Sequence, residues 1–116
     1  MYSQAQPIPQ ISAAQLAERL AQSTEPLQLI DVREPEEVAI AYIPGFEVLS
    51  LSEFDQWSED IKTRFNPKIE TLVICHHGIR SYQMCQWLQN CGFTNVKNVA
   101  GGIDAYAFVD PSLPRY

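Results

Sequence analysis

Glu70-Thr71-Leu72-Val73-Ile74-Cys75 is the segment that leaves this chain the fewest options. After the opening carboxylate it is β-branched and almost wholly apolar, with no polar residue returning at every second position. A strand of that kind needs cover on both faces, which places it inside a sheet with helices above and below. The flanking sequence supplies the helices.

Ile11 to Leu20 starts with Ser12 as an N-cap and carries Ala13, Leu16, Ala17 and Leu20 at the spacing of an amphipathic helix. Leu27 to Asp31 reads as a short strand ending on a carboxylate. Pro35 suits the first turn of a helix over Glu36 to Ile40, which Pro44-Gly45 ends. Phe46 to Ser50 reads as a strand. Ser52 is placed to cap a helix through Phe54, Trp57, Ile61 and Phe65, stopped by Asn66-Pro67. Beyond the central strand, Ser81 to Asn90 is helical, with Met84, Trp87 and Leu88 on one side and Gly92 as its C′ residue. Asn95 to Val99 is a last short strand, and Gly101-Gly102 turns into a helix from Ile103 towards Val109. Strand and helix alternate throughout, so the expected fold class is α/β, a mainly parallel sheet with helices on both faces. In such sheets ligands collect beyond the carboxyl ends of the strands. Asp31-Val32-Arg33 and the loop Cys75 to Arg80 both fall there.

With 116 residues the chain fits one domain, expected over residues 1–116 with a core from about 8 to 109. Pro7 and Pro9 near the start, and Pro111 and Pro114 near the finish, punctuate it. The longest apolar run, Val38 to Ile43, has six residues against the ~20 a membrane span needs. Met1 to Pro7 lacks the basic patch and apolar stretch of a secretory signal, so a cytoplasmic protein without a membrane partner is expected. The formal charge of −6, with scattered Lys and Arg, argues against nucleic acid as the partner. Three cysteines, Cys75, Cys85 and Cys91, cannot build a full disulfide framework and have no zinc-site spacing. Reduced thiols are expected, one of them reactive.

The reactive candidate is Cys75. An isolated cysteine at a strand end reads as a small buried hydrophobe. The continuation His76-His77-Gly78-Ile79-Arg80 changes that reading. Backbone N–H groups of residues 76 to 81 can turn inward around the sulfur as an anion-binding nest. The next helix points its positive end at the same spot, and Arg80 adds a full charge. All three favour thiolate over thiol. Gly78 permits the backbone angle of so tight a curve.

Four motifs now stand in order: Asp31-Val32-Arg33-Glu34-Pro35-Glu36-Glu37, Ile43-Pro44-Gly45, Cys75-His76-His77-Gly78-Ile79-Arg80-Ser81 and Gly101-Gly102-Ile103-Asp104-Ala105-Tyr106. Together they resemble the rhodanese family from about Ile8 to Tyr106. The resemblance implies a rhodanese-like fold, an α/β sheet of about five strands with the catalytic loop after the fourth. It implies a sulfurtransferase: Cys75 takes sulfane sulfur from a small anionic donor such as thiosulfate and passes it to cyanide, a thiol or a sulfur-carrier protein. By the same resemblance the amides of His76, His77, Gly78, Ile79 and Arg80 hold the persulfide, and the Arg80 guanidinium helps bind the donor. No metal or organic cofactor is implied, since the sulfur rides on the enzyme covalently.

Asp31 and Arg33 are expected to form a structural ion pair of the near-surface kind, with donor binding by Arg33 as the alternative. They and Ser81 support the loop. His76 and His77 are expected at the pocket rim, and their adjacency argues against a shared metal. Cys85 and Cys91, six residues apart and so about 240° around one helix, are both expected to be buried packing. Trp57, Trp87 and Phe93 read as core or groove wall, and Glu53 to Asp60 as a solvated face. Ala41-Tyr42 stands where many family members have Gly-His, and Phe46 to Glu53 departs from the family pattern at one rim of the pocket. Two rivals accompany the sulfurtransferase. One is a non-catalytic rhodanese-like interaction module. The other is a phosphatase or arsenate reductase of the same fold, disfavoured because four residues separate Cys75 from Arg80 where those enzymes carry five.

Overall fold

A computed structural model describes residues 7–22 and 25–116. Its five strands are β1 (Gln10–Ile11), β2 (Gln28–Asp31), β3 (Glu47–Val48), β4 (Thr71–Ile74) and β5 (Val96–Val99), in the order β1-β5-β4-β2-β3. Every pairing is parallel, so the sheet is parallel throughout. All four residues of β4 are buried, as its composition requires. Its side chains alternate between two cores. Val73, with Cys75 just beyond the strand, packs with Trp57, Ile61, Met84, Cys85 and Leu88 on one face. Leu72 and Ile74 pack with Leu16, Val99, Ile103 and Tyr106 on the other.

The helices follow from local signals. In α1 (Ala13–Gln22), Ser12 Oγ accepts from the Gln15 N–H at 3.0 Å and Gln15 Oε1 accepts from the Ser12 N–H at 2.9 Å. That reciprocal capping box satisfies two end groups at once. α2 (Pro35–Ile40) has Pro35 in its first turn, α5 (Ile79–Asn90) follows the β4 loop, and α6 (Gly102–Val109) follows β5. Among the described residues no helix is long and apolar enough to cross a membrane.

Two expectations about elements change. The stretch after β3 is a chain of short pieces, α3 (Phe54–Trp57) and α4 (Ile61–Arg64) with 3₁₀ turns at Leu51–Glu53 and Ser58–Asp60. Glu53 (φ −110°, ψ 24°) and Asp60 (φ −96°, ψ 7°) leave the helical region and reset the winding, which keeps Trp57, Ile61 and Phe65 buried on one side. Ser52 caps none of these pieces, because its hydroxyl donates to Glu34 and its N–H reaches the same carboxylate at 3.2 Å. The acidic residues of this stretch are exposed, as expected. The second change is β1, which the helix reading passed over; Gln10 aligns with Asn98 and Ile11 with Val99 at one sheet edge.

Candidate active site

Cys75 follows β4 directly and Asp31 ends the neighbouring β2, so the two sequence-marked segments meet at the carboxyl edge of the sheet. The loop between β4 and α5 is held by the start of α6. The Ile103 N–H donates to the Cys75 carbonyl at 2.9 Å and the Asp104 N–H to the His76 carbonyl at 3.1 Å. With those carbonyls tied outward, the loop can turn N–H groups towards the sulfur. Gly102 makes the approach possible, since a Cβ there would lie 2.4 Å from both carbonyl oxygens. Gly78 (φ +101°) turns the chain into α5 in the left-handed region.

The Cys75 side chain is 1% exposed and forms the floor of a pocket of about 280 Å³ walled by His76, His77, Ile79 and Arg80. The Gly78 N–H donates to Sγ at 3.0 Å, and the Ser81 hydroxyl lies 3.2 Å from it. Of the five loop amides expected around the sulfur, Gly78 is the one that reaches it. The amides of Ile79, Arg80 and Ser81 open α5 and have no carbonyl partner inside the helix, which gives that end its positive field.

Arg80 stands at the rim as a fork on Glu37, with Nη1 to Oε1 at 2.7 Å and Nη2 to Oε2 at 2.9 Å. Glu37 also accepts from the Glu34 N–H at 3.1 Å and the Tyr116 hydroxyl at 2.9 Å. The Arg80 bond holds the Glu37 carboxyl down at about 2. The Arg80 charge thus faces a permanent counter-charge.

Arg33 departs from the near-surface pair expected of it: it is 0% exposed and Asp31 is 1% exposed. Burial is tolerable because every donor is matched. Nε and Nη2 hold the Asp31 carboxylate, the closest contact being 2.7 Å. Nη2 also donates to the Ala41 carbonyl at 2.7 Å, and Nη1 to the Glu37 carbonyl at 3.3 Å and the Tyr116 hydroxyl at 3.1 Å. A cation therefore closes the carboxyl end of α2, where the helix dipole favours it. At Ala41-Tyr42 the buried Ala41 supplies that carbonyl, and the Tyr42 hydroxyl bonds the Phe46 carbonyl.

His76 is half-buried and His77 exposed, their rings stacked 3.8 Å apart. The Tyr116 ring lies on His76 at 3.9 Å, and His76 Nε2 is hydrogen-bonded to the main-chain oxygen of Tyr116 at 2.8 Å. Asp104 comes within 4.8 Å of both histidines, the one trio of this kind among the described residues. Asp104 Oδ1 already accepts from Arg115 at 3.0 Å and His76 Nε2 is bonded to Tyr116, so two of the three have protein partners. Cys85 is buried, and burial pushes its thiol up to about 12. Cys91 corrects the expectation of a second buried thiol: it caps the end of α5 and is only half-buried. Trp57 and Phe93 are core, and Trp87 meets Phe54 and Trp57 edge-on at 5.0 and 5.9 Å.

Sequence reasoning missed Asn98 and the roles of Glu37 and Tyr116. Asn98 is 2% exposed, and its Oδ1 lies 2.5 Å from Ser81 Oγ while Nδ2 reaches the Gly78 carbonyl at 3.0 Å. The available signal was an amide between two valines of a short strand, Val96 to Val99, at the position next to Lys97.

The model of the Rhodanese-like domain family matches residues 12–108. The chain belongs to that family. It is 36% identical over 99 residues to a sulfurtransferase of Allochromatium vinosum, covering 84% of this chain and 87% of that protein. It is 44% identical over 117 residues to the chloroplastic rhodanese-like/PpiC domain-containing protein 12 of Arabidopsis thaliana, covering 98% of this chain but spanning 39% of that relative. The crystal structure of a rhodanese-like domain protein from Staphylococcus aureus superposes with a TM-score of 0.74 at 28% identity, covering 85% of this chain and 91% of the other. The five-stranded parallel sheet is therefore a rhodanese-like sheet, and the loop after β4 is this member's candidate site.

Proposed function

We propose that this rhodanese-like domain is a sulfurtransferase working through a Cys75 persulfide. The observation that carries the reading is the setting of Sγ: at the N-terminal end of the twelve-residue α5, with a backbone N–H at 3.0 Å, on the floor of an open pocket. A cysteine that only packs needs none of these. In the first half-reaction the Cys75 thiolate attacks the outer sulfur of thiosulfate. The sulfur–sulfur bond of the donor breaks with its electron pair on the departing sulfite, and the persulfide carries the negative charge on its outer atom. In the second half-reaction cyanide or a thiolate, free or on a sulfur-carrier protein, attacks that outer sulfur; the sulfur–sulfur bond breaks with its electron pair on Cys75 and the thiolate returns. The amides opening α5 face the place where the outer charge sits. Arg80, balanced by Glu37, orients the rim and contributes little net charge.

Incubation with thiosulfate and cyanide should yield thiocyanate, and the intact protein should gain one sulfur atom after thiosulfate alone. Cys75→Ser should show neither. Turnover of p-nitrophenyl phosphate without sulfur gain would replace this reading with phosphoryl chemistry. Inertness in both assays would replace it with a non-catalytic interaction module.

A further inference from the structure

Ser81 has one hydroxyl proton and two neighbours that can take it. Cys75 Sγ lies 3.2 Å from Oγ, and Asn98 Oδ1 lies 2.5 Å from it on the other side. The orientation of the Asn98 amide is fixed by chemistry. The Gly78 carbonyl 3.0 Å away can only accept, so the atom facing it is the NH₂ group, whose second proton goes to Gln10 Oε1 at 3.1 Å. The atom facing Ser81 is then an oxygen, which can only accept. We propose that Asn98 is a positioning residue of the sulfur-transfer reaction: it draws the Ser81 proton away from Cys75 and so favours the persulfide over the free thiolate.

The states of the sulfur differ in what they ask of Ser81. A thiol donates its own proton to Oγ, and Ser81 keeps its bond to Asn98. A thiolate needs the hydroxyl to turn towards it, which strands a buried amide oxygen without a donor. That desolvated oxygen is costly to leave unpaired. In the persulfide the charge has moved to the outer sulfur, the inner sulfur is neutral, and the proton returns to Asn98. Asn98 therefore opposes one state, the anionic inner sulfur. Its remaining bonds run to Gln10 and to the carbonyl of Gly78, whose N–H also reaches Sγ, so the Ser81→Ala background separates action through the hydroxyl from action through that loop. Arg80 and Cys85 also act electrostatically on Cys75, and His76 and His77 border it in the loop. The comparison below leaves all four unchanged.

This inference rests on Cys75 being the proposed nucleophile, and its test separates the two ideas. The rate of Cys75 alkylation by iodoacetamide, followed at its own peptide across pH, reports the free thiolate without any sulfur chemistry. For Asn98→Ala the midpoint of that profile should fall by about one pH unit, the equivalent of one net hydrogen bond. In a Ser81→Ala background the same substitution should move nothing. A midpoint that stays or rises in Asn98→Ala, or falls equally in both backgrounds, overturns the relay. Should Asn98→Ala fail to fold, Ser81→Ala alone decides the matter. Its midpoint should move by less than about half a unit, because the competing Asn98 bond disappears with the hydroxyl; a rise of about a unit or more would mean the proton already belongs to the sulfur. Sulfur occupancy after thiosulfate, read by intact mass, should be several-fold lower in Asn98→Ala. If wild type gains no sulfur, the proposed function falls, while the alkylation profile still judges the relay.

Discussion

At the scale of single residues, two arginines near the site play opposite parts. Arg33 is sealed between Asp31, the end of α2 and Tyr116, with its donors matched by carboxylate, carbonyl and hydroxyl oxygens. Arg33→Ala would leave the buried Asp31 charge without its cation, and loss of one partner from a buried pair costs about 3–5 kcal/mol. The urea midpoint of that variant should drop accordingly; a loss within about 0.5 kcal/mol, typical of an exposed surface pair, would contradict this assignment. Arg80, by contrast, is partly open to solvent, and its charge is balanced by Glu37. Glu37→Gln releases it. In the thiosulfate assay the KM for the dianionic donor should fall several-fold in this variant, with the gain shrinking as salt screens the freed charge. An unchanged KM would show that Arg80 takes no part in donor capture.

At the scale of elements, the start of α6 and the β4–α5 loop approach each other backbone to backbone at Gly102. Gly102→Ala pushes a Cβ to 2.4 Å from the Cys75 and His76 carbonyl oxygens, and neither belongs to a side chain that could swing away. The variant should lose more than about 2 kcal/mol and the register of the β4–α5 loop with it. Gly92→Ala is the matched control. Its φ is also positive, at +100°, but the nearest atom to the new Cβ is the end of the Lys62 side chain at 4.0 Å. It should cost about 1 kcal/mol, from backbone strain alone. Denaturant midpoints of the two variants would distinguish crowding from conformational preference.

Such junctions also explain which elements the sequence displayed. α1 and α5 were legible because each carries a periodic apolar pattern or a cap written in consecutive residues, and β4 because its apolar run is unbroken. β1 has two residues, too few for any period, and exists because β5 offers an edge. The breaks at Glu53 and Asp60 respond to packing against Trp57 and Ile61, which lies outside local propensity. The site divides in the same way. Cys75, Gly78 and Ser81 fall within seven residues and were found together. Glu37, Asn98 and Tyr116 stand 43, 17 and 40 positions away in sequence from their partners there, Arg80, Ser81 and His76. A spacing argument cannot join them.

At the scale of the whole molecule, two carboxylates pin opposite ends of the sheet. Glu37 ties α2 to the first turn of α5 at the carboxyl edge. Glu70 precedes β4 at the other edge and holds Arg19 of α1 at 2.9 Å and Lys97 of β5. Each is held at about 2 from an ordinary 4.5, Glu37 mainly by Arg80 and Glu70 mainly by Arg19. A carboxyl depressed by folding stabilises the native state fully above its ordinary value, and that contribution disappears as pH falls towards its folded value. The acid limb of the stability curve should therefore lie between about 4.5 and 2. Glu37→Gln and Glu70→Gln should each be less stable than wild type at pH ~7 and converge on it near pH ~2, where wild type has lost the same charges. Because the two sites share no partner, the double variant should show the sum of the two effects. Urea midpoints measured at several pH values test this, and an acid limb equally steep in wild type and the double variant would place the pH sensitivity of the fold elsewhere.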